Sequence, residues 1–272
     1  MRRLENAFWF TFAVPTIGIV LVLFFAPFLY SALGSFQSKS GQLTLDNYAL
    51  VARLYTKDVL YTVGIATFSL AIVLFIGILL CGYLRVYGNQ LVEFLFKIPL
   101  FVPFVVVGHA MRVFLAPHGI LNSMVAQIGL ISLDNPPSLA YSWLGISVAL
   151  AWKNMAMAVL LILGAFRSVH ETYLEAARNF GAGAIRQTLD VLLPMSASSL
   201  AVASVLMFTS MLASFSIPLM IGGGKGAQMT MIDVYYRITY QGDYGAANAL
   251  GVVSYLLASG AAIYYLRTVT RK

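Results

Sequence analysis

Residues 175–181 read EAARNFG, and residues 191–194 follow ten positions after that glycine with the sequence VLLP. This charged stretch lies between two long hydrophobic segments, in a chain that is otherwise nearly all apolar. A membrane protein that displays a charged helix to water offers that helix to a soluble partner. The nature of the partner therefore decides what the protein does.

The composition places the chain in a membrane. Of its 272 residues, 60% are hydrophobic and 10% are charged, whereas a soluble domain carries about 25% charged residues. The net charge of +7 comes from cations at the ends of apolar segments, where anionic lipid attracts them, so we expect a lipid membrane and no nucleic acid as partner. Cys81 is the only cysteine, and the three histidines are too scattered to predict a metal site.

Six segments have the roughly 20 apolar residues that a membrane helix needs. They are residues 10–33, 59–84, 91–115, 139–166, 194–221 and 244–266. The chain is thus predicted to be an all-α integral membrane protein with six transmembrane helices in one domain, residues 1–272. Pro99 and Pro103 predict a kinked or broken third helix. The uncharged run from Asn6 to Gln37 is too long for a secretory signal, so the first segment is expected to be an uncleaved span.

The distribution of Lys and Arg predicts the orientation, because cytoplasmic loops are enriched in both. With the N-terminus in the cytosol, ten cations lie inside and six outside. The inner ones are Arg2, Arg3, Arg85, Lys97, Arg167, Arg178, Arg186, Arg267, Arg271 and Lys272, and the outer ones are Lys39, Arg53, Lys57, Arg112, Lys225 and Arg237. Both termini and the loop of residues 167–193, called here the 167–193 loop, are then cytoplasmic. Residues 35–58, 116–138 and 222–243 form outer loops.

The 167–193 loop has the pattern of a helix. Side chains that share one helical face recur at three- and four-residue steps: Tyr173, Ala176 or Ala177, Phe180 and Ala184. Glu171 and Glu175 lie toward the start, where they complement the helix dipole. Gly181 predicts the helix end, and Pro194 is expected to open the next span. Periodicity alone fits an amphipathic connector on the membrane surface equally well.

The order of residues in this loop resembles the cytoplasmic motif of permease subunits of bacterial ATP-binding-cassette importers. That motif reads Glu-Ala-Ala, three variable residues, Gly, nine variable residues, an aliphatic residue, one variable residue and Leu-Pro. Residues 175–177, Gly181, Val191 and residues 193–194 stand at those spacings, with Val191 in place of the usual Ile. The six-span layout, with the motif between spans four and five, agrees with the family over nearly the whole chain.

The resemblance implies a fold, partners and a mechanism. In the family the loop forms a coupling helix that docks on one of two ATPase subunits, which bind ATP and Mg²⁺. Two permeases, identical or related, switch between inward- and outward-open states in the bacterial inner membrane, and a periplasmic binding protein delivers the solute. Carried over by position, Glu175 makes a polar contact, Ala176 and Ala177 pack closely, and Gly181 makes the turn. The residues assigned to this contact are Glu175, Ala176, Ala177, Phe180, Gly181 and Pro194.

The chain itself is predicted to be a transport subunit and not an enzyme. Residues 222–226 read GGGKG and superficially resemble a phosphate-binding loop. They lack the first glycine at the required spacing, and Gly226 stands where Ser or Thr must bind Mg²⁺. We therefore expect a flexible turn, and no cofactor bound by this chain.

Ionisable groups inside a span are candidates for the solute path. Lys153, beside Asn154, lies near the middle of span four, and His109 and Arg112 share one side of span three. The other interpretation is that Lys153 bonds carbonyls within the bundle and that Arg112 reaches toward the interface. Ser214 belongs to a polar stripe in span five that suits gating, although small residues also simply pack membrane helices.

The predicted solute is a small polar organic molecule, neutral or anionic. No Asp or Glu lies deep in a predicted span, so a cation would meet Lys153 without compensation. Candidates in this class are a sugar, an organophosphonate or another organic anion, and Trp152-Lys153 together with residues 244–250 resembles the sugar-type branch of these importers. Residues 213–220, which read ASFSIPLM, resemble the polyamine-type branch, so a polyamine is possible by resemblance. A stand-alone secondary transporter or channel is a second interpretation of the chain, although no deep carboxylate is present to couple ions. A membrane scaffold that recruits a soluble protein is a third.

Overall fold

The computed structural model describes Thr11, residues 13–222 and residues 226–269. Regular structure in these residues is helical, apart from one isolated bridge between Gln37 and Leu43. The helices are α1 (Ala13–Gly34), α2 (Asp46–Leu54), α3 (Thr56–Tyr87), α4 (Gln90–Lys97), α5 (Phe104–Leu115), α6 (Ile120–Gln127), α7 (Trp143–Arg167), α8 (Glu171–Asn179), α9 (Ala184–Met195), α10 (Ala197–Leu212), α11 (Ser216–Ile221), α12 (Thr230–Thr239) and α13 (Tyr244–Val269).

The chain packs as two compact units. The first contains the described part of Met1–Thr56 together with Asp233–Tyr255. Its small core joins Val51 of α2 to Ala249 and Leu250 of α13. Polar bonds also tie its segments, since the Arg237 guanidinium donates to the Tyr55 hydroxyl at 2.6 Å and to Asp243 at 2.9 Å.

The second unit contains Lys57–Ile232 and the described part of Leu256–Lys272, with α7 at its centre. Sixteen of the 25 residues of α7 are buried, as expected for a helix that is apolar all round. Its side chains form one cluster with those of α3, α8, α9 and α10. Gly77 lets α3 approach α7 closely, because a Cβ there would lie 3.2 Å from Ile162.

Four helical stretches in the described residues are long and apolar enough to cross a membrane: Ala13–Gly34, Thr56–Tyr87, Phe104–Gln127 and Trp143–Arg167. A fifth candidate is the pair α9 and α10, which bend by 83° at Ser196. The helix α13 has 26 residues and begins where the sixth predicted span begins. For the second and fourth spans, the predicted and observed limits agree to within four residues. The limits of α13 agree equally well with the sixth prediction, but α13 is not among the candidate membrane-spanning stretches in the described residues.

The third predicted span is broken, as its prolines indicated, but its limits were wrong. Residues 91–115 divide into α4, a 3₁₀ turn over Ile98–Phe101, and α5. The membrane-length stretch is instead Phe104–Gln127, so the expected outer loop of residues 116–138 contains α6. Pro103 lacks the backbone N–H that a continuous helix from α4 to α5 would need at this position.

The fifth predicted span also has different limits. Pro194 does not open a membrane helix but lies inside α9, and α10 begins only at Ala197. The span then breaks again, because α10 ends at Leu212 and α11 begins at Ser216. The predicted turn at residues 222–226 includes residues 223–225, which lie outside the described residues, as do both chain ends.

Candidate functional site

The helix α8 presents most of the motif on its exposed side. Leu174 is its one buried residue in the described structure and packs into the core of the second unit. Glu175 and Ala176 are exposed, and Phe180, directly after the helix, is 92% exposed. The helix is thus held at Leu174 and offers a charged, small and aromatic surface to whatever lies beyond it.

A tight turn ends α8 at the glycine that the sequence predicted. Gly181 has a φ of +79°, in the left-handed region that favours glycine. The Gly181 amide donates to the Arg178 carbonyl at 2.8 Å, and the Ala182 amide donates to the Ala177 carbonyl at 2.9 Å. These two bonds form a Schellman motif. The Gln187 side chain also donates to the Ala182 carbonyl at 2.7 Å, which ties the turn to α9.

An ion pair fixes the start of α8 to α3. Glu171 Oε2 lies 2.7 Å from Arg85 Nη1, and Glu171 Oε1 lies 2.7 Å from Arg178 Nη2. Partial burial raises the pKa of Glu171, but the hydrogen bonds and charges of the two arginines outweigh it, so the pKa lies below its ordinary value. Glu171 is therefore an anion that links a membrane-length helix to the loop.

A second ion pair fixes α4 to the end of α7. Glu93 accepts from Arg167 at 2.7 and 3.2 Å and from Lys97 at 2.5 Å. The hydrogen bond from Arg167, followed by that from Lys97, holds the pKa of Glu93 below its ordinary value of 4.5, against the opposing effect of burial. The corner between α7 and α8 is thus bonded to α3 through Glu171 and to α4 through Glu93.

We expect the Glu93 ion pairs to make the stability of the folded protein depend on pH. Because the folded pKa is lowered, their stabilisation, about 1 kcal/mol, is present above pH 4.5 and is lost as the pH falls through the folded value. Melting temperatures of the purified protein and of Glu93→Gln should therefore differ at neutral pH and converge below pH 4.5. Glu175→Gln, which removes an exposed carboxylate, is the control and should show no such convergence. A difference between Glu93→Gln and the unaltered protein that persisted unchanged at low pH would contradict this assignment.

The middle of α9 is wound as a π-helix over Gln187–Leu192. It packs against α3 at Gly82, where a Cβ would lie 2.1 Å from the Thr188 side chain. Pro194 follows and is exposed. The bend at Ser196 is bonded to α7, because the Ser196 hydroxyl donates to the Ala165 carbonyl at 3.2 Å. The helix α9, which forms the second arm of the loop, therefore contacts α3 at Gly82 and is bonded to α7 through Ser196.

Lys153 is buried at the break in the third predicted span. Its ammonium donates to the Pro99 carbonyl at 2.6 Å and to the Val102 carbonyl at 2.5 Å, and lies 4.7 Å from the centre of the Phe104 ring. Pro103 has no N–H with which to bond the Pro99 carbonyl, and that carbonyl accepts from the Val102 amide at 3.4 Å as well as from Lys153. The geometry matches the interpretation in which this lysine bonds carbonyls within the bundle.

The other path candidates are dispersed. Asn154 is buried and donates to the Leu150 carbonyl of its own helix at 2.9 Å. His109 and Arg112 are exposed, and Arg112 donates to the Tyr141 hydroxyl at 3.2 Å. Ser214 is buried in the break between α10 and α11, and its hydroxyl has no hydrogen-bond partner in the described structure. No hydrogen bond or ion pair in the described residues joins these side chains to one another.

The sequence did not single out the residues that hold the loop in place. Arg85 and Arg167 were counted only as cations on the inner side, and Glu93 and Gln187 were not singled out. A usable signal was present, because acids are rare in this chain and an acid at a helix end beside a basic span end favours pairing. Their pairing depends on which helices are neighbours, which the spacing does not contain.

Most of the chain matches known proteins of one transport family. Residues 73–269 match the family described as binding-protein-dependent transport system inner membrane component. A sulfoquinovosyl glycerol transport system permease protein of Agrobacterium fabrum is 30% identical over 161 residues, which are 57% of this chain and 51% of that protein. The chain thus matches about half the length of that relative.

Two further likenesses extend across the chain. A spermidine/putrescine transport system permease protein of Haemophilus influenzae is 24% identical over 228 residues, which are 82% of this chain and 79% of that protein. The solved structure of a bacterial alginate ABC transporter, in complex with an alginate pentasaccharide-bound periplasmic protein, contains a chain with the same fold. Its TM-score is 0.82 at 18% identity, and the match covers 98% of this chain and 95% of that one.

Proposed function

Because the chain belongs to the family of binding-protein-dependent transport system inner membrane components, we propose that it forms half of the solute pathway of an ATP-driven importer. The protein is a multi-pass permease subunit of an ABC importer with the type I fold, and it is not itself an enzyme. Its proposed partners are two ATPase subunits that bind ATP and Mg²⁺, a second permease and a periplasmic binding protein. Alternating access between inward- and outward-open states is the proposed mechanism.

The exposed tip of the 167–193 loop carries this proposal. Phe180 is 92% exposed, although burying a phenylalanine is worth about 1.5–3 kcal/mol. The turn beneath it is fixed by the Schellman motif at Gly181, and α8 is bonded to α3 through Glu171. A rigid helix that presents an aromatic side chain is suited to enter a cleft in a partner. We assign that cleft to the ATPase subunit.

The proposed topology has six crossings with both termini in the cytoplasm. The crossings are α1, α3, α5 with α6, α7, α10 with α11, and α13. In this arrangement α8 and α9 lie on the cytoplasmic side, and the 83° bend between α9 and α10 turns the chain from the surface into the membrane. Arg85, Arg167 and Arg178 then lie on the side where Lys and Arg are enriched.

Purification with the candidate ATPase decides between this function and its alternatives. The chain is co-produced with neighbouring subunits, extracted in mild detergent and analysed for retained ATPase. We expect ATPase and second permease to remain bound in a complex that hydrolyses ATP. Uptake of solute by proteoliposomes that hold this chain alone, without ATPase, would instead indicate a secondary transporter or channel. Retention of an unrelated soluble protein, without solute transport, would indicate a scaffold.

Reversing the charge at Glu175 should weaken the proposed docking. Glu175 is exposed on α8, and its side chain makes no hydrogen bond or ion pair in the described structure. The Glu175→Arg protein is therefore expected to insert into the membrane normally. Loss of a charged interface contact should lower ATPase retention by about tenfold. Glu175→Gln, which keeps the shape, is the matched control and should have a smaller effect. Unchanged uptake and unchanged ATPase retention in Glu175→Arg would remove Glu175 from the docking surface.

The proposed solute is a neutral or anionic organic molecule. In the four candidate spans the one acidic side chain is Asp58, in the first turn of α3, where it accepts from the Gln228 amide at 2.8 Å. A cation would find no carboxylate deep in these four described spans, and unpaired charge in a membrane is costly. Lys153 already donates to two backbone carbonyls. The proposed solute class is therefore argued from the lack of carboxylates deep in the described spans, and not from a lysine that is available to bind an anion.

A solute screen tests this class directly. The complex and its binding protein are reconstituted, and ATP hydrolysis is measured with neutral glycosides, sulfonated glycosides, alkyl phosphonates and putrescine. We expect stimulation by a neutral or anionic compound. Stimulation by putrescine alone would overturn the proposal and place this chain with the relative named for spermidine and putrescine.

A further inference from the structure

Two residues of α3, one helical turn apart, contact the 167–193 loop. Residues three positions apart lie on the same side of a helix, and Gly82 and Arg85 have this spacing. Gly82 contacts Thr188 of α9 so closely that a Cβ would lie 2.1 Å from its hydroxyl oxygen. Arg85 pairs with Glu171 of α8 at 2.7 Å. One face of α3 therefore meets both arms of the loop.

Arg85 makes three contacts at the corner between α7 and α8. Its Nε donates to the Phe166 carbonyl at 3.1 Å, and its Nη2 donates to the Val169 carbonyl at 3.1 Å. Its Nη1 pairs with Glu171. The guanidinium is a planar fork with fixed donor directions, and the Arg85 side chain is only 15% exposed. Movement of the whole corner between α7 and α8 relative to α3 therefore requires all three contacts to break together.

The loop beyond Glu171 is connected internally. Arg178 pairs with Glu171 at 2.7 Å and donates to the Gln187 side chain at 3.4 Å. Gln187 in turn donates to the Ala182 carbonyl in the turn. These bonds join α8, the turn and the start of α9 into one body, which is fastened to α3 at Arg85 and at Gly82.

We propose that Arg85 is a positioning residue that transmits movement of the 167–193 loop to α3, with the contact between Gly82 and Thr188 as its second point of attachment. This inference rests on the proposed docking of the loop to an ATPase subunit. Movement of α8 is transmitted to α3 by the pair between Glu171 and Arg85. Movement of α9 is transmitted to α3 by the contact between Thr188 and Gly82. The transfer thus involves a long membrane helix outside the sequence motif.

Three variants in the assembled complex test the transmission. Arg85→Met removes all three contacts, and Glu171→Gln removes the charge at a half-exposed site while keeping the shape. Arg178→Met is the matched control, because it also removes a pair with Glu171 but touches no membrane helix. ATPase retention, ATP hydrolysis and solute uptake are measured in proteoliposomes.

We expect Arg85→Met and Glu171→Gln to retain the ATPase while solute uptake per ATP hydrolysed falls by about threefold or more. A fourth protein that combines Arg85→Met with Glu171→Gln should be no worse than Arg85→Met alone, because both changes break the pair between Arg85 and Glu171. Arg178→Met should keep a nearly normal ratio of uptake to hydrolysis. If Arg85→Met fails to assemble, Glu171→Gln decides.

An unchanged ratio of uptake to hydrolysis in an assembled Glu171→Gln complex would overturn the transmission role and leave the docking proposal intact. An equal loss in Arg178→Met would also overturn it, because the effect would then belong to the loop and not to its attachment to α3. Failure of the unaltered protein to retain any ATPase would reject the proposed function itself, and the transmission role with it.

Discussion

Lys153→Met is expected to destabilise the folded protein by about 2–5 kcal/mol. The substitution preserves most of the side-chain volume but removes the ammonium that bonds the carbonyls of Pro99 and Val102. The bond to the Pro99 carbonyl is buried and the bond to the Val102 carbonyl is partly buried, and a buried acceptor that loses a charged donor costs more than an average hydrogen bond returns. The apparent melting temperature in detergent should fall by roughly 5–10 °C.

Arg112→Met is the control for this prediction, because it removes a cation from the exposed surface of α5. It should shift the melting temperature far less. The same measurement separates the two interpretations of Lys153. A Lys153→Met protein with normal melting temperature but altered solute selectivity would contradict the carbonyl-bonding role and support a place on the solute path.

The helix in the 167–193 loop was predictable because its signals are local. The turn that ends α8 requires a left-handed residue at position 181, two positions after the last helical residue, and glycine fills that need at lowest cost. The exposure of Phe180 was not predictable in the same way. Phe180 shares a helical face with Ala176, and periodicity groups such residues without stating whether a core or a partner covers them.

The break at Pro99 and Pro103 was predictable from the chemistry of proline, but its repair was not. A missing N–H can be read from the sequence. The charged donor to the Pro99 carbonyl comes from Lys153, more than fifty positions away. The helix carrying Lys153 must first pack beside the break, and nothing in the local pattern of α7 records that neighbour. The sequence therefore offered two uses for the lysine and no means to choose.

The fifth predicted span shows where hydropathy misleads. Residues 194–221 form one apolar run, yet the bend at Ser196 and the break after Leu212 divide it. The bend is held by a hydrogen bond from Ser196 to the Ala165 carbonyl of α7. Apolar composition indicates that a segment is buried away from water. The direction in which the helix runs depends on tertiary bonds such as this one. The helix α9 consequently extends through Met195 before the chain turns by 83°.

Phe180→Ala should have the largest effect on the association between this chain and its proposed ATPase. A large, nearly fully exposed aromatic side chain on a rigid turn is typical of an interface residue that contributes about 2 kcal/mol or more. The apparent affinity for the ATPase should thus fall by about 30-fold or more. Titration of purified ATPase onto the permease pair in nanodiscs, measured by a fluorescent label on the ATPase, gives the affinity directly.

The fold of the protein should survive this change, because Phe180 is 92% exposed and contributes little to the core. Phe75→Ala is the matched control, since Phe75 is 70% exposed in the middle of α3, away from the loop. It should leave the affinity for the ATPase unchanged. Equal affinities for Phe180→Ala and Phe75→Ala would mean that the tip of the loop is not the docking surface. The cleft of the ATPase would then have to receive another part of the 167–193 loop, with Ile185, 67% exposed on α9, as the next side chain to replace.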